Sequence, residues 1–143
     1  MTNKIGKTTI SESVRNLFIF LLFLPNLFSS DIPDVDFDDE GVFKYITINV
    51  KNTQTGESKA IIRGYEECEY HADIFDRVAP FLQDSGYQTT CPGGGRIRRS
   101  SNEIFVYGYS VGFGRAEHKE TCEIIAKWLN NESVKIHWSN DGY

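Results

Sequence analysis

Residues 42–50 read VFKYITINV, and this stretch decides the fold class. Val42, Lys44, Ile46, Ile48 and Val50 alternate on one face. Phe43, Tyr45, Thr47 and Asn49 alternate on the other. A period of two with β-branched and aromatic residues is a strand pattern. Apolar residues on both faces place it inside a sheet covered on both sides. Downstream, residues 52–57 (NTQTGE) form a turn and residues 59–65 (KAIIRGY) a second strand, which makes a hairpin. Upstream, residues 31–40 hold six acidic residues and Pro33, which reads as an exposed, irregular lead-in.

Further along, residues 71–83 place Ile74, Phe75, Val78, Phe81 and Leu82 on one helical face. Pro80 is expected to kink or shorten that helix, and Ser85-Gly86 to end it. Residues 87–92 read as a strand, Gly93-Gly94-Gly95 as a turn, and residues 96–99 and 103–111 as two more strands. A second helix is expected over residues 117–129, with Cys122, Ile125, Ala126, Trp128 and Leu129 as its apolar stripe. A short strand over residues 134–138 closes the order β-β-α-β-β-β-α-β. This is an α+β architecture, a mixed six-stranded sheet sandwiched between two helices. No internal repeat is expected.

Residues 1–30 differ from the rest. Lys4, Lys7 and Arg15 precede the apolar run LFIFLLFL at residues 17–24, which Pro25-Asn26 interrupts and Ser29-Ser30 ends. That is the layout of a secretory signal peptide, and it is too short for a transmembrane helix. The residues around Ser29 and Ser30 match a small-x-small cleavage site poorly. Two readings therefore stand side by side: a signal peptide, or an extension outside the true domain. The expected division is 1–30 as a hydrophobic, signal-like extension and 31–143 as the folded domain, with no stable membrane insertion.

The chain of 143 residues has a net charge of -5. An acidic chain is poorly suited to tracking nucleic-acid phosphates. Cys68, Cys91 and Cys122 make an odd set without a CxxC pair, and with His71, His118 and His137 they give no zinc-ligand spacing. Three reduced thiols fit the cytoplasm, with secretion as the alternative if residues 1–30 act as a signal.

Four features bear on chemistry. Lys44 interrupts an apolar row, either snorkelling to water or holding an anion at a pocket rim. His71 opens a helix, where the positive end of the dipole favours a neutral imidazole able to act as base or nucleophile. The run GGGR at residues 93–96 offers amides and Arg96 to an anion, or is a tight hairpin turn. YGYSVGFG at residues 107–114 is a glycine-rich bend that can expose backbone N–H groups, with Arg115 and His118 close behind. His118 itself reads as a polar residue of the second helix's first turn. A histidine, basic groups and anion-cradling backbone together suit metal-free handling of a phosphoryl group.

The blocks IPDVDFDDEGVFKYI, RGYEECEYHADIFDRV, GGGRI, VYGYS and the terminal WSNDGY occur in the order and spacing of the Janus family of phosphohistidine phosphatases. From about Ile32 onward the chain resembles that family. The resemblance implies a six-stranded sheet with a helix on each side, a monomer, no cofactor, and metal-independent removal of phosphate from phosphohistidine-containing proteins. It implies His71 as the general base that activates water, with a transient phosphoryl-His71 as the other route. It places phosphate binding on Lys44 and on the backbone of Ser110, Val111 and Gly112, and Arg96 is added as a supporting charge. Gly112 departs from relatives, which often carry another small residue there. A non-catalytic phosphate- or phosphopeptide-binding protein of the Janus type is the alternative.

Overall fold

The structure, a computed structural model, describes residues 32–143. The signal-like stretch 1–30 lies outside the described residues. Strands β1 (Val35–Phe37), β2 (Gly41–Asn52) and β3 (Ser58–Gly64) precede helix α1 (His71–Asp84). Strands β4 (Tyr87–Arg99) and β5 (Glu103–Tyr107), helix α2 (His118–Leu129) and strand β6 (Lys135–Trp138) follow. All six strands form one mixed sheet in the order β1-β3-β2-β4-β5-β6.

The central strand is the one that residues 42–50 predicted. It pairs antiparallel with β3 on one side and β4 on the other. Tyr45, Ile46 and Ile48 are fully buried, as expected of a strand covered on both faces. The β2–β3 hairpin turns on Asn52, whose side-chain oxygen accepts from the amides of Gln54 and Thr55. On one face the Tyr45 hydroxyl reaches α2. On the other, Ile46 shares the space above Gly94 with His71, the first residue of α1. The two helices therefore cover opposite faces. The larger apolar cluster, around Phe37, Phe43, Ile62, Ile97, Ile104, Val106 and Ile125, lies under α2.

Four expectations are corrected. Residues 93–95 make no turn: β4 runs unbroken from Tyr87 to Arg99 and takes the two strands expected there into one. The lead-in is not wholly irregular, because Val35–Phe37 pairs parallel with β3, with Val35 and Phe37 buried and Asp36 exposed. Merging two strands and gaining β1 leaves the number at six. The last expected run of strand through residue 111 stops at Tyr107. Finally, Pro80 does not shorten α1, which continues to Asp84 and ends at Ser85-Gly86 as expected. The burial of Ile74 and Ala79 offsets the one backbone hydrogen bond that proline removes.

The pairing pattern reads the same from either edge of the sheet: parallel, antiparallel, antiparallel, antiparallel, parallel. Each half is a hairpin followed by a helix that begins with histidine, His71 in one and His118 in the other. Each hairpin also exits through Gly-Tyr, at Gly64-Tyr65 and Gly108-Tyr109. The sequence showed no internal repeat, and this symmetry of topology emerges only from the strand pairing.

Candidate active site

The triple glycine explains how the site is built. A Cβ on Gly94 would sit 2.8 Å from Cδ2 of His71, and a Cβ on Gly95 would sit 2.7 Å from Cε1 of His118. Those contacts are shorter than side chains tolerate. Strand β4 thus passes between two imidazoles, one on each face, and only glycine lets both approach.

The two histidines are held differently. His71 lies at the N-terminus of α1, where Asp73 accepts from the Tyr70 amide at 2.9 Å and fixes the first turn. Its Nε2 donates to the Gly95 carbonyl at 2.9 Å, since a carbonyl can only accept. In the neutral ring the lone pair then belongs to Nδ1, which has no partner among the described residues. Burial pulls the His71 pKa below the usual 6.5, the Gly95 hydrogen bond opposes this, and the charges of Lys44 and Arg96 add to it. The ring is therefore neutral at pH 7.

His118 is a core residue, 1% exposed, and not merely a polar group of the first turn as its position in the sequence suggested. Its Nε2 donates to the Gly108 carbonyl at 2.7 Å, and its Nδ1 accepts from the Tyr45 hydroxyl at 2.6 Å. Both ring nitrogens are used. The contact to Gly108 anchors the start of the bend that carries Ser110, Val111 and Gly112.

A cleft of about 720 Å³ has His71, Lys44, Glu69, Tyr70, Ala72, Ser110, Val111, Gly112, Phe113 and Tyr143 in its walls. Lys44 and the residues 110–112 thus meet His71, as the sequence reading required. Lys44 is half-buried and has no ion pair or hydrogen bond among the described residues. The Ser110 amide is occupied, donating to the Gly114 carbonyl at 3.1 Å, while the Ser110 Oγ accepts from the Phe113 amide. Ser110 therefore shapes the bend. Among the described residues the amides of Val111 and Gly112 have no acceptor. No atom lies within 4 Å of a Cβ built on Gly112, so another small residue fits there.

Arg96 pairs with Lys44 across β2 and β4 but does not line the cleft. Its guanidinium lies 4.5 Å from the ring centroid of Tyr143 and donates to the Tyr143 hydroxyl at 3.0 Å. Its Nε is buried with no protein acceptor. The aromatic C-terminal residue, which sequence reasoning passed over, is thus a wall of the cleft and holds Arg96 behind it. Its spacing of 47 residues from Arg96 left no local signal.

Among the described residues no three His, Cys, Asp or Glu side chains group as metal ligands, and no helix is long and apolar enough to cross a membrane. Cys68, Cys91 and Cys122 are free thiols, and burial pushes Cys91 up to about 11 and Cys122 up to about 12.

A neutral imidazole with a free lone pair, a lysine and two unspent amides around one cleft suit a phosphoryl-sized anion next to a base. The comparisons agree with that class of site. The family model described as Janus/Ocnus family (Ocnus) matches residues 29–133, and the chain belongs to this family. It is 48% identical over 121 residues to the 14 kDa phosphohistidine phosphatase of Sus scrofa, covering 80% of this chain and 94% of that protein. The protein of the same name from Homo sapiens is 47% identical over 120 residues, covering 78% and 94%. Sex-regulated protein janus-A of Drosophila pseudoobscura pseudoobscura is 42% identical over 119 residues, 78% of each chain.

Proposed function

We propose that this protein is a phosphohistidine phosphatase, a hydrolase that releases phosphate from phosphohistidine in proteins without a metal ion. The names of the Sus scrofa and Homo sapiens relatives support the activity. The observation that supports this reading best is the hydrogen bond from His71 Nε2–H to Gly95, which leaves the Nδ1 lone pair free beside Lys44 in the wall of the cleft. Lys44 and the amides of Val111 and Gly112 hold the phosphoryl oxygens. Water attacks phosphorus in line with the leaving ring and gives a proton to Nδ1. The cations and amides stabilise the negative charge of the transition state, the role a metal plays elsewhere. Arg96, steadied by Tyr143, adds positive field from behind.

Phosphate release from a phosphohistidine protein tests this, with wild type and His71→Ala, each with and without a strong chelator. Release by wild type in both conditions and none by the variant is the expected result. The janus-A relatives, whose name states no activity, favour the second reading, a phosphopeptide-binding protein. Retention of the phosphoprotein by wild type without any release identifies that reading instead.

A further inference from the structure

Glu69 is out of place in a cleft built for phosphate. It lines the same wall as His71 and is solvent-exposed. Neighbouring carboxylates have work: Asp73 caps the helix and Glu67 pairs with Arg77. Glu69 has no ion pair or hydrogen bond among the described residues. A free carboxylate repels a phosphoryl dianion, so it is a liability unless the substrate also brings a positive charge. Serine, threonine and tyrosine phosphates bring none. Phosphohistidine does, because the ring nitrogen that does not carry phosphorus can bind a proton.

We propose that Glu69 accepts a hydrogen bond from that protonated ring and thereby sets the preference of the site for phosphohistidine over phosphate esters. The inference rests on the phosphatase reading above. The chemistry shows why the proton matters. Water forms the new P–O bond and passes its proton to Nδ1 of His71. The P–N bond breaks and its electron pair returns to the ring nitrogen. When the other nitrogen already carries a proton, the leaving group is neutral imidazole and no general acid is needed. When it does not, the leaving group is imidazolate, a far poorer one. Lys44 at the anion and Arg96 behind it both disfavour a cationic ring nearby, as they do for His71 itself. Glu69 opposes them on the substrate's behalf. Tyr70, exposed in the same wall, offers the cationic ring an aromatic face.

The test compares Glu69→Gln with wild type, as full chains, on N-phosphoimidazole and on p-nitrophenyl phosphate. The ester serves as a competitor if its turnover is too slow to follow. N-phosphoimidazole has no flanking residues, so a basic neighbour cannot explain an effect. The expected result is a fall of about tenfold in kcat/KM for N-phosphoimidazole, the loss of one charge-assisted hydrogen bond. The ester moves the other way, because a repelling charge has gone. Glu69→Asp restores part of the preference. A preference ratio within twofold of wild type in Glu69→Gln overturns the inference and leaves the phosphatase reading intact. Wild type that releases no phosphate from either phosphohistidine protein or N-phosphoimidazole overturns the phosphatase reading, and this inference with it.

Discussion

Gly94→Ala adds a single methyl group, and its consequences follow from three distances. The new Cβ would meet the Tyr45 carbonyl oxygen at 2.6 Å, His71 Cδ2 at 2.8 Å and Ile46 Cγ2 at 3.3 Å. Tyr45 and Ile46 belong to the central strand, hydrogen-bonded on both edges, and yield little. The contact with the Tyr45 carbonyl forces β4 and β2 apart locally, and His71, the nearest side chain, must move as well. Carbon atoms prefer about 3.5–4.0 Å, so the imidazole retreats by about 0.7 Å or more. That stretches the 2.9 Å bond from Nε2 to Gly95, to or past the limit of a hydrogen bond. Overpacking of a core costs ~1–3 kcal/mol. At about 4 °C per kcal/mol for a domain near this size, Tm falls by about 4–12 °C. A catalytic group misplaced by about 1 Å loses on the order of 100-fold in rate. The assays are thermal unfolding and phosphate release from a phosphohistidine protein. Gly112→Ala is the stability control, since its Cβ meets nothing within 4 Å, and its stability should stay within ~0.5 kcal/mol of wild type. Wild-type melting and turnover in Gly94→Ala would show that neither β2 nor His71 needs glycine at this position of β4.

Two other expectations concern the paired histidines. Tyr45→Phe removes the hydroxyl that satisfies Nδ1 of buried His118, so it should cost ~1–3 kcal/mol by chemical denaturation, and an unchanged midpoint contradicts the arrangement. The pH profile follows from His71. Its folded pKa is below 6.5, chiefly through burial, so the acid limb of kcat/KM that reports the base is centred below pH 6.5. His71 and His118 are both depressed, so below pH 6.5 the unfolded chain takes up protons the folded one resists. Their contribution to stability is present above that pH and is lost as pH falls. An acid limb centred at or above 6.5 would contradict the burial of the base.

The fold was legible wherever local pattern and environment agree. The run VFKYITINV announced a central strand, and the apolar stripe of residues 71–83 announced α1. What failed was local grammar overruled by distant contacts. Three glycines read as a turn, yet here Gly94 and Gly95 mark where the imidazoles of residues 71 and 118 press on one strand, and Gly93 where the backbone of Arg115 and Ala116 does. No sequence window contains both. Strand β1 is three residues inside an acidic run, held by parallel pairing to β3 that only the fold supplies. At the site, Lys44 was visible as a charge in an apolar row and His71 as a helix-opening histidine. The division of labour within residues 110–112 was not visible, because the Ser110 amide is claimed by Gly114 four residues on. Tyr143 and Glu69 gave no pattern to read; the walls of the cleft reveal them.

The proposed function stands on a neutral His71 acting as the base of the hydrolysis. The direct measurement is phosphate release from a phosphohistidine protein by wild type, His71→Ala and His71→Gln, in chelator, with thermal unfolding of each to confirm a folded chain. Chelator-resistant turnover by wild type and none by either folded variant is the predicted result. A folded His71 variant that releases phosphate at the wild-type rate contradicts it.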